Sequence, residues 1–375
     1  MKGGKEELSY VNNSKVQAKH ANSMLHLLKE TLDRVQLSSP EFLFLVADLG
    51  CSSGSNSINT PFSLISLAMT STPSSSSSFL WATTAAAWRR PLLPTATAPN
   101  WLQESPAPSS GGFSRRGPLT FFTRRFPCVG SHRGMNVPES VLDKRSAAYN
   151  KGRVFIHGAN ESTANAYKKQ FQTDLASFLR SRAKELKKGG SMFLACLGRT
   201  SVDPTEQSGL GLLLGTHIQG AWDDLVQEDK DILDKLKSVF IRFSNQSDTH
   251  GYILQYVHGL ITSEKGDSFN FPVYASSLQD FKEVVEADGS FTMNKLEIFN
   301  GGSPLVVNQP DDAAEVGRAL ANSCRSAGGV LIDAHIGEHL SNELFSQVEQ
   351  RSSRHAKEIL EQIQFFYVAA SLSLA

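Results

Sequence analysis

Cysteine is scarce in this chain, with four in 375 residues, at Cys51, Cys128, Cys196 and Cys324, and no CxxC pair among them. Such spacing excludes a zinc-finger ligand set and a disulfide framework. It fits a reducing compartment, so a cytoplasmic location is expected. Surplus charge is lacking as well, because 37 Lys and Arg balance 37 Asp and Glu. A protein that grips phosphate backbones carries a basic footprint, so nucleic acid is not an expected partner. No apolar run approaches the roughly 20 residues of a membrane span, and the polar opening Met1-Lys2-Gly3-Gly4-Lys5 is unlike a signal peptide. A membrane partner is therefore not expected either.

Enough apolar sequence remains for a large core: 40% of the chain is hydrophobic, and residues 1–375 can form a single elaborated α/β domain. The clearest ligand signal is the stretch 43–56, where Leu43-Phe44-Leu45-Val46-Ala47 leads into Asp48 and the turn Gly50-Cys51-Ser52-Ser53-Gly54. An unbroken apolar run is the pattern of a strand buried on both faces of an α/β sheet. Asp48 falls where that strand emerges, and small residues let a ligand approach the backbone, which together describe a nucleotide crevice. The turn lacks the middle glycine of GxGxxG and no acid follows about 20 positions on, so an NAD(P)-dependent oxidoreductase is the weaker reading.

Residues 13–35 carry Val16, Met24, Leu27, Leu28, Leu32 and Val35 at near-helical spacing, with Asn13 or Ser14 as the cap. Arg153-Val154-Phe155-Ile156 predicts a short strand. Residues 165–186 predict an amphipathic helix with Tyr167, Phe171, Leu175, Phe178, Leu179 and Leu186 inward. Lys187 and Lys188 would meet its last carbonyls, and Gly189-Gly190 would cap it. Residues 192–197 follow as a second buried strand. Ser277 and Asp280 form a capping box with Asp in place of Glu, and residues 311–326 and 338–363 are amphipathic.

Two stretches break the pattern. Residues 57–138 hold ten of the fifteen prolines, the run Ser74 to Ser78, three of the four tryptophans, seven arginines, no lysine and one acid, Glu104. That composition offers no periodic apolar face and predicts a loop-like or disordered segment. The serine run and paired arginines are what a codon-shifted reading could produce, with the frame returning at Val137. Residues 229–258 form a polar segment between Leu225-Val226-Gln227-Glu228 and Gly259-Leu260-Ile261 and read as an insertion.

The turn after Asp48 has company. Asp48-Leu49-Gly50-Cys51-Ser52-Ser53-Gly54-Ser55-Asn56 resembles the S-adenosylmethionine (AdoMet) motif of class I methyltransferases, in the form found in the plant SABATH family of carboxyl and N-methyltransferases. The start of the chain, with Ser9-Tyr10, Asn13-Ser14 and Gln17, resembles that family's N-terminal segment. Ala166-Tyr167-Lys168-Lys169-Gln170-Phe171, Gly189-Gly190-Ser191-Met192, Leu197-Gly198-Arg199 and Phe269-Asn270-Phe271-Pro272-Val273-Tyr274 follow in the family's order. The resemblance spans residues 1–56, 137–228 and 259–375, and at 229–258 the family's VQEGLI-like motif is interrupted.

The resemblance implies a Rossmann-like class I AdoMet-dependent methyltransferase sheet with a mostly helical cap, mainly within 200–330. It implies an O-methyltransferase that converts the carboxyl group of a small aromatic plant acid to its methyl ester. Lys2, Tyr10, Ser14, Asp48, Cys51 and Asn56 would hold the cofactor, while Gln17, Gly215 and Phe365 would face the acceptor. Some family members carry magnesium, which implies a ligand set of Asn160, Asp267, the Phe269 carbonyl and Asn270. A solvated turn is the alternative there. No catalytic base is expected, because a carboxylate is already ionised at pH 7 and the sulfonium methyl is already activated. A homodimer is the expected assembly. The competing reading, motivated by residues 57–138, is a degenerate family member without catalysis.

Overall fold

The computed structural model describes residues 24–35, 44–49, 79–83, 119–125, 136–243, 261 and 263–375, with side chains left aside over 44–49, 79–83, 119–125 and part of 230–243. Among the described residues the chain forms one six-stranded sheet, in the order β2-β1-β3-β4-β6-β5. The strands are β1 (Phe44–Leu49), β2 (Phe79–Thr83), β3 (Leu119–Arg125), β4 (Leu186–Gly198), β5 (Phe291–Gly302) and β6 (Phe365–Leu374). β1 pairs in parallel with β2 and β3, and β3 with β4. β6 runs antiparallel to both β4 and β5.

β4 shows why a central strand reads as a continuous apolar run. Its alternate residues Met192, Leu194 and Cys196 enter the main core with Phe171, Leu175 and Phe178. Phe193 and Ala195 turn the other way, onto Leu27, Leu28 and Leu32 of helix α1 (Leu25–Asp33). Side chains alternate faces along a strand, so burial on both faces demands hydrophobicity at every position. The expected helix over 13–35 is thus described from Leu25 onward, and Asn13 and Ser14 lie outside the described residues.

A short helix α2 (Glu139–Leu142) precedes the long helix α3 (Glu161–Ala183). Asn160 caps α3 by accepting from the Thr163 N–H at 2.8 Å, which satisfies one of the donors a helix start leaves open. Its inward face carries Tyr167, Phe171, Leu175, Phe178 and Leu179, as the periodicity predicts. The far end differs from expectation. α3 stops at Ala183, and Lys187 to Gly190 lie inside β4, where Gly189 takes φ +80° near a register irregularity in the pairing with β3. Pairing of Leu186 with Leu119 draws these residues into the sheet, and tertiary pairing overrides the capping pattern.

Arg153-Val154-Phe155-Ile156 forms no strand. Val154, Phe155 and Ile156 are buried, but the Val154 N–H donates to Gln219 Oε1 (2.8 Å) and its carbonyl accepts from the Phe271 N–H (2.8 Å). A side-chain amide thus stands in for a neighbouring strand, and the apolar run is buried without joining the sheet.

The interval read as an insertion begins inside a helix. Helix α4 (Gln219–Phe243) runs straight through the start of residues 229–258. Asp229 on α4 is buried and accepts from the Ile261 N–H at 2.6 Å, so the chain on the far side of that interval is tied to the helix. Likewise β2 and β3 both fall within 57–138, where the composition predicts only loop. Strand pairing with β1 and β4 supplies the order that local composition does not.

The remaining helices are α5 (Ser263–Asp267), α6 (Leu278–Asp288), α7 (Ala313–Ile336), α8 (Glu338–Arg354) and α9 (Ala356–Gln362); α6 packs on α3 and β5 beside the sheet, while α7 and α8 pack on each other, and α8 on α4, as the helical cap. Ser277 and Asp280 make the reciprocal capping box at α6. Among the described residues no helix is long and apolar enough to cross a membrane.

Candidate functional site

The order of the parallel strands locates the crevice. From β1 the chain passes to β2 on one side and then to β3 on the other, so the carboxyl ends of β1 and β3 flank a topological switch point. Open α/β sheets bind ligands at such points, because the two connections diverge and leave a gap. Asp48 is the penultimate residue of β1, in register with Thr83 of β2 and Thr123 of β3. An acid at the mouth of this gap fits a ligand with a cationic amino group, as AdoMet has. Cys51 and Asn56 in the following turn, and Lys2, Tyr10, Ser14 and Gln17, lie outside the described residues.

Gly215 and Phe365, the described residues expected to face the acceptor, come from elements the fold brings together. Gly215 sits in a π-helical stretch, Gly211–Ile218, which follows a single turn at Ser208–Leu210 and leads into α4. Wide turns of this kind recur at functional sites. The Gly209 N–H donates to the Gln364 carbonyl at 3.2 Å, and a Cβ on Gly209 would overlap Gln364, the residue before Phe365. The base of the π-helical stretch thus rests on the start of β6, where Phe365 is partly buried. Gly215 packs on the imidazole of His157, a residue the sequence did not single out.

The expected magnesium ligands are brought together only in part. Asp267 accepts from the Gly152 N–H (2.9 Å) and the Tyr149 hydroxyl (3.2 Å), and Asn270 Oδ1 accepts from Asn150 Nδ2 at 2.6 Å. Asn160 is spent as the cap of α3, and the asparagine that reaches Asn270 is Asn150. Phe269 stacks on Trp222 at 5.1 Å. Each named side-chain oxygen already faces a protein donor, an arrangement that does not fit an open oxygen cage. Among the described residues no group of three or more His, Cys, Asp or Glu converges as a metal site.

A buried ionic cluster joins the end of β4 to α6. Arg199, 1% exposed just past the end of β4, donates to Asp280 Oδ2 at 2.8 Å and to the Ala275 carbonyl, and lies over the Tyr274 ring at 4.9 Å. Asp280 also accepts from the Tyr274 hydroxyl (2.8 Å) and the Ser277 N–H (3.1 Å), and pairs with Lys168 at 3.0 Å. Burial pushes the Asp280 carboxyl up, but Arg199 and these donors outweigh it and hold it below the ordinary carboxylate range. In the sequence Arg199 stands out only within the Leu197-Gly198-Arg199 motif, and an arginine directly after a buried strand is the signal that could have found this cluster. Burial alone pushes the Cys196 thiol up to about 12, despite its contact with Ser276, and Cys324 behaves alike. Both are inert core thiols.

The model of the family described as SAM dependent carboxyl methyltransferase matches residues 1–78, 118–245 and 252–374. The chain is 50% identical to "Indole-3-acetate O-methyltransferase 1" of Arabidopsis thaliana, over all of this chain and 94% of that protein. It is 47% identical to the protein of the same name from Oryza sativa subsp. japonica, over all of this chain and 92% of that one. A solved structure, "Loganic acid methyltransferase with SAH", superposes with a TM-score of 0.71 at 21% identity, covering 100% of this chain and 98% of that one, and thus shares the fold. The match leaves out residues 79–117, within the compositionally aberrant stretch, and residues 246–251, within the stretch read as an insertion. Taken with the acid at the switch point of a parallel sheet, these matches make the chain a member of the AdoMet-dependent carboxyl methyltransferase family, enzymes that turn a plant carboxylic acid into its methyl ester.

Proposed function

We propose that this chain methylates the carboxylate of a small aromatic acetic acid of the indole type. The observation that carries the reading is full-length identity of 50% and 47% to two proteins named indole-3-acetate O-methyltransferase. When bound, AdoMet supplies an activated sulfonium methyl. What this chain must contribute is placement. Asp48 anchors the amino acid end of the cofactor, and Lys2, Tyr10, Ser14, Cys51 and Asn56 close around it. Gln17 donates an amide hydrogen bond to the acceptor carboxylate, which orients it without the charge pairing that would quench its nucleophilicity. Gly215 and Phe365 border the ring of the acceptor. In-line alignment with water excluded can supply roughly 7–11 kcal/mol of the barrier, so no general base is required. Two buried free thiols, Cys196 and Cys324, support a reducing, cytoplasmic setting, and a homodimer remains part of the reading.

The test is ester formation from labelled AdoMet with indole-3-acetic acid beside benzoic and jasmonic acids. Faster transfer to the indole acid is expected, and equal or slower transfer overturns the assignment. A second reading, an inactive family member, is favoured by residues 79–117, which the family model does not match. Expressing this chain beside one with family-like sequence over 79–117 decides between them: activity only in the restored chain selects the inactive reading.

A further inference from the structure

His157 occupies a notch cut into the π-helical stretch. Gly211 and Gly215, four residues apart, both present their missing side chains to its ring. A Cβ on Gly215 would stand 2.5 Å from His157 Cβ and 2.9 Å from Cδ2, closer than real Cβ contacts come. A Cβ on Gly211 would overlap Nδ1, with Cγ at 2.8 Å and Cε1 at 2.9 Å. A side chain at either position and an imidazole at 157 therefore exclude each other. The backbone here is well held: His157 follows the buried run Val154 to Ile156, its carbonyl accepts from Arg153 at 3.1 Å, and the next residue, Gly158, donates to the Thr205 carbonyl at 3.2 Å.

We infer that His157 is a specificity-determining residue of the acceptor pocket, forming with its imidazole the wall that a side chain at position 215 would otherwise form. The inference rests on the reading of Gly215 as an acceptor residue, given above. Burial holds the imidazole below its ordinary pKa, and the Arg153 charge adds to this against the Thr205 carbonyl. The wall is thus uncharged at neutral pH and shapes the space for the acceptor's ring system without competing with Gln17 for the carboxylate. Nδ1 is buried and without a hydrogen-bond partner, so nothing but packing fixes this face of the ring. Removing the ring should therefore enlarge the pocket with little other loss.

The experiment measures acceptor affinity by calorimetry on the full chain with S-adenosylhomocysteine bound, using indole-3-acetic and benzoic acids. His157→Ala is expected to change the ratio of the two dissociation constants by fivefold or more while leaving S-adenosylhomocysteine affinity within twofold. Gly211→Ala, which must displace the ring, is expected to change the ratio too. It should add nothing in a His157→Ala background, where its Cβ has no ring to meet. If His157→Ala does not fold, His157→Val is read in its place. A ratio unchanged within twofold in the His157 variant, or Gly211→Ala effects that simply add to it, overturns the inference. Binding of neither acid by the parent chain instead overturns the functional reading beneath it.

Discussion

The two halves of the sheet are built differently. β4, β6 and β5 are 13, 10 and 12 residues long, with helices on both faces of β4 and the Arg199–Asp280 cluster tying its end to α6. β1, β2 and β3 have 6, 5 and 7 residues, and all three run parallel. The contrast separates two tasks. The long-stranded half carries the described core, and the short parallel half carries carboxyl ends at a switch point, where open α/β sheets bind ligands. Damage to one should show chiefly as lost stability, and damage to the other chiefly as lost binding.

The largest effect is expected at Arg199. Arg199→Met leaves Asp280 buried without its main partner, a situation that costs about 3–5 kcal/mol. Denaturant melts should move by that amount, and a change below about 1 kcal/mol would make the cluster no more than a surface-grade ion pair. The same variant sharpens the acid limb of stability. Because Asp280 is held below its unfolded value of about 3.9, its stabilisation is fully present above that pH and is lost as pH falls through the lower folded value. Melting temperatures of the parent chain should therefore drop as pH falls below about 4, more steeply than those of Arg199→Met. Parallel curves for the two proteins would contradict the assignment.

On the other half of the sheet, Asp48→Ala should weaken AdoMet roughly tenfold, the loss of about 1.4 kcal/mol typical of a charge-assisted hydrogen bond, with little change in melting. Calorimetry reads this directly, and equal affinity in the variant would remove Asp48 as the anchor. Gln17→Ala should raise the acceptor KM or lower turnover severalfold while AdoMet affinity stays near that of the parent. Equal ester formation by the variant would deny Gln17 its role. The smallest effect is expected from EDTA, since the side-chain oxygens of Asp267 and Asn270 already accept protein donors. A melting shift of several degrees on chelation would restore a cation to this segment.

Much of the fold and part of the candidate site could be read without coordinates. The capping box at Ser277 and the inward face of α3 depend on neighbours three or four residues away, so local chemistry determines them. The strand that ends at Asp48 and the continuous burial of β4 from Gly190 to Gly198 follow from hydrophobicity at successive positions, and the motif around Asp48 carried the family. What the sequence could not decide were choices made by distant partners. Whether Val154 to Ile156 joins the sheet depends on Gln219 and Phe271. The entry of Lys187 to Gly190 into β4 goes with the pairing of Leu186 and Leu119, and β2 and β3 are strands by pairing with β1 and β4. His157 became visible only through Gly211 and Gly215, which lie far along the chain and touch it only once π-helical turns bring their bare Cα atoms against its ring. A backbone hydrogen bond or a close packing contact is satisfied by whichever group arrives in space, and that arrival is decided by the tertiary fold.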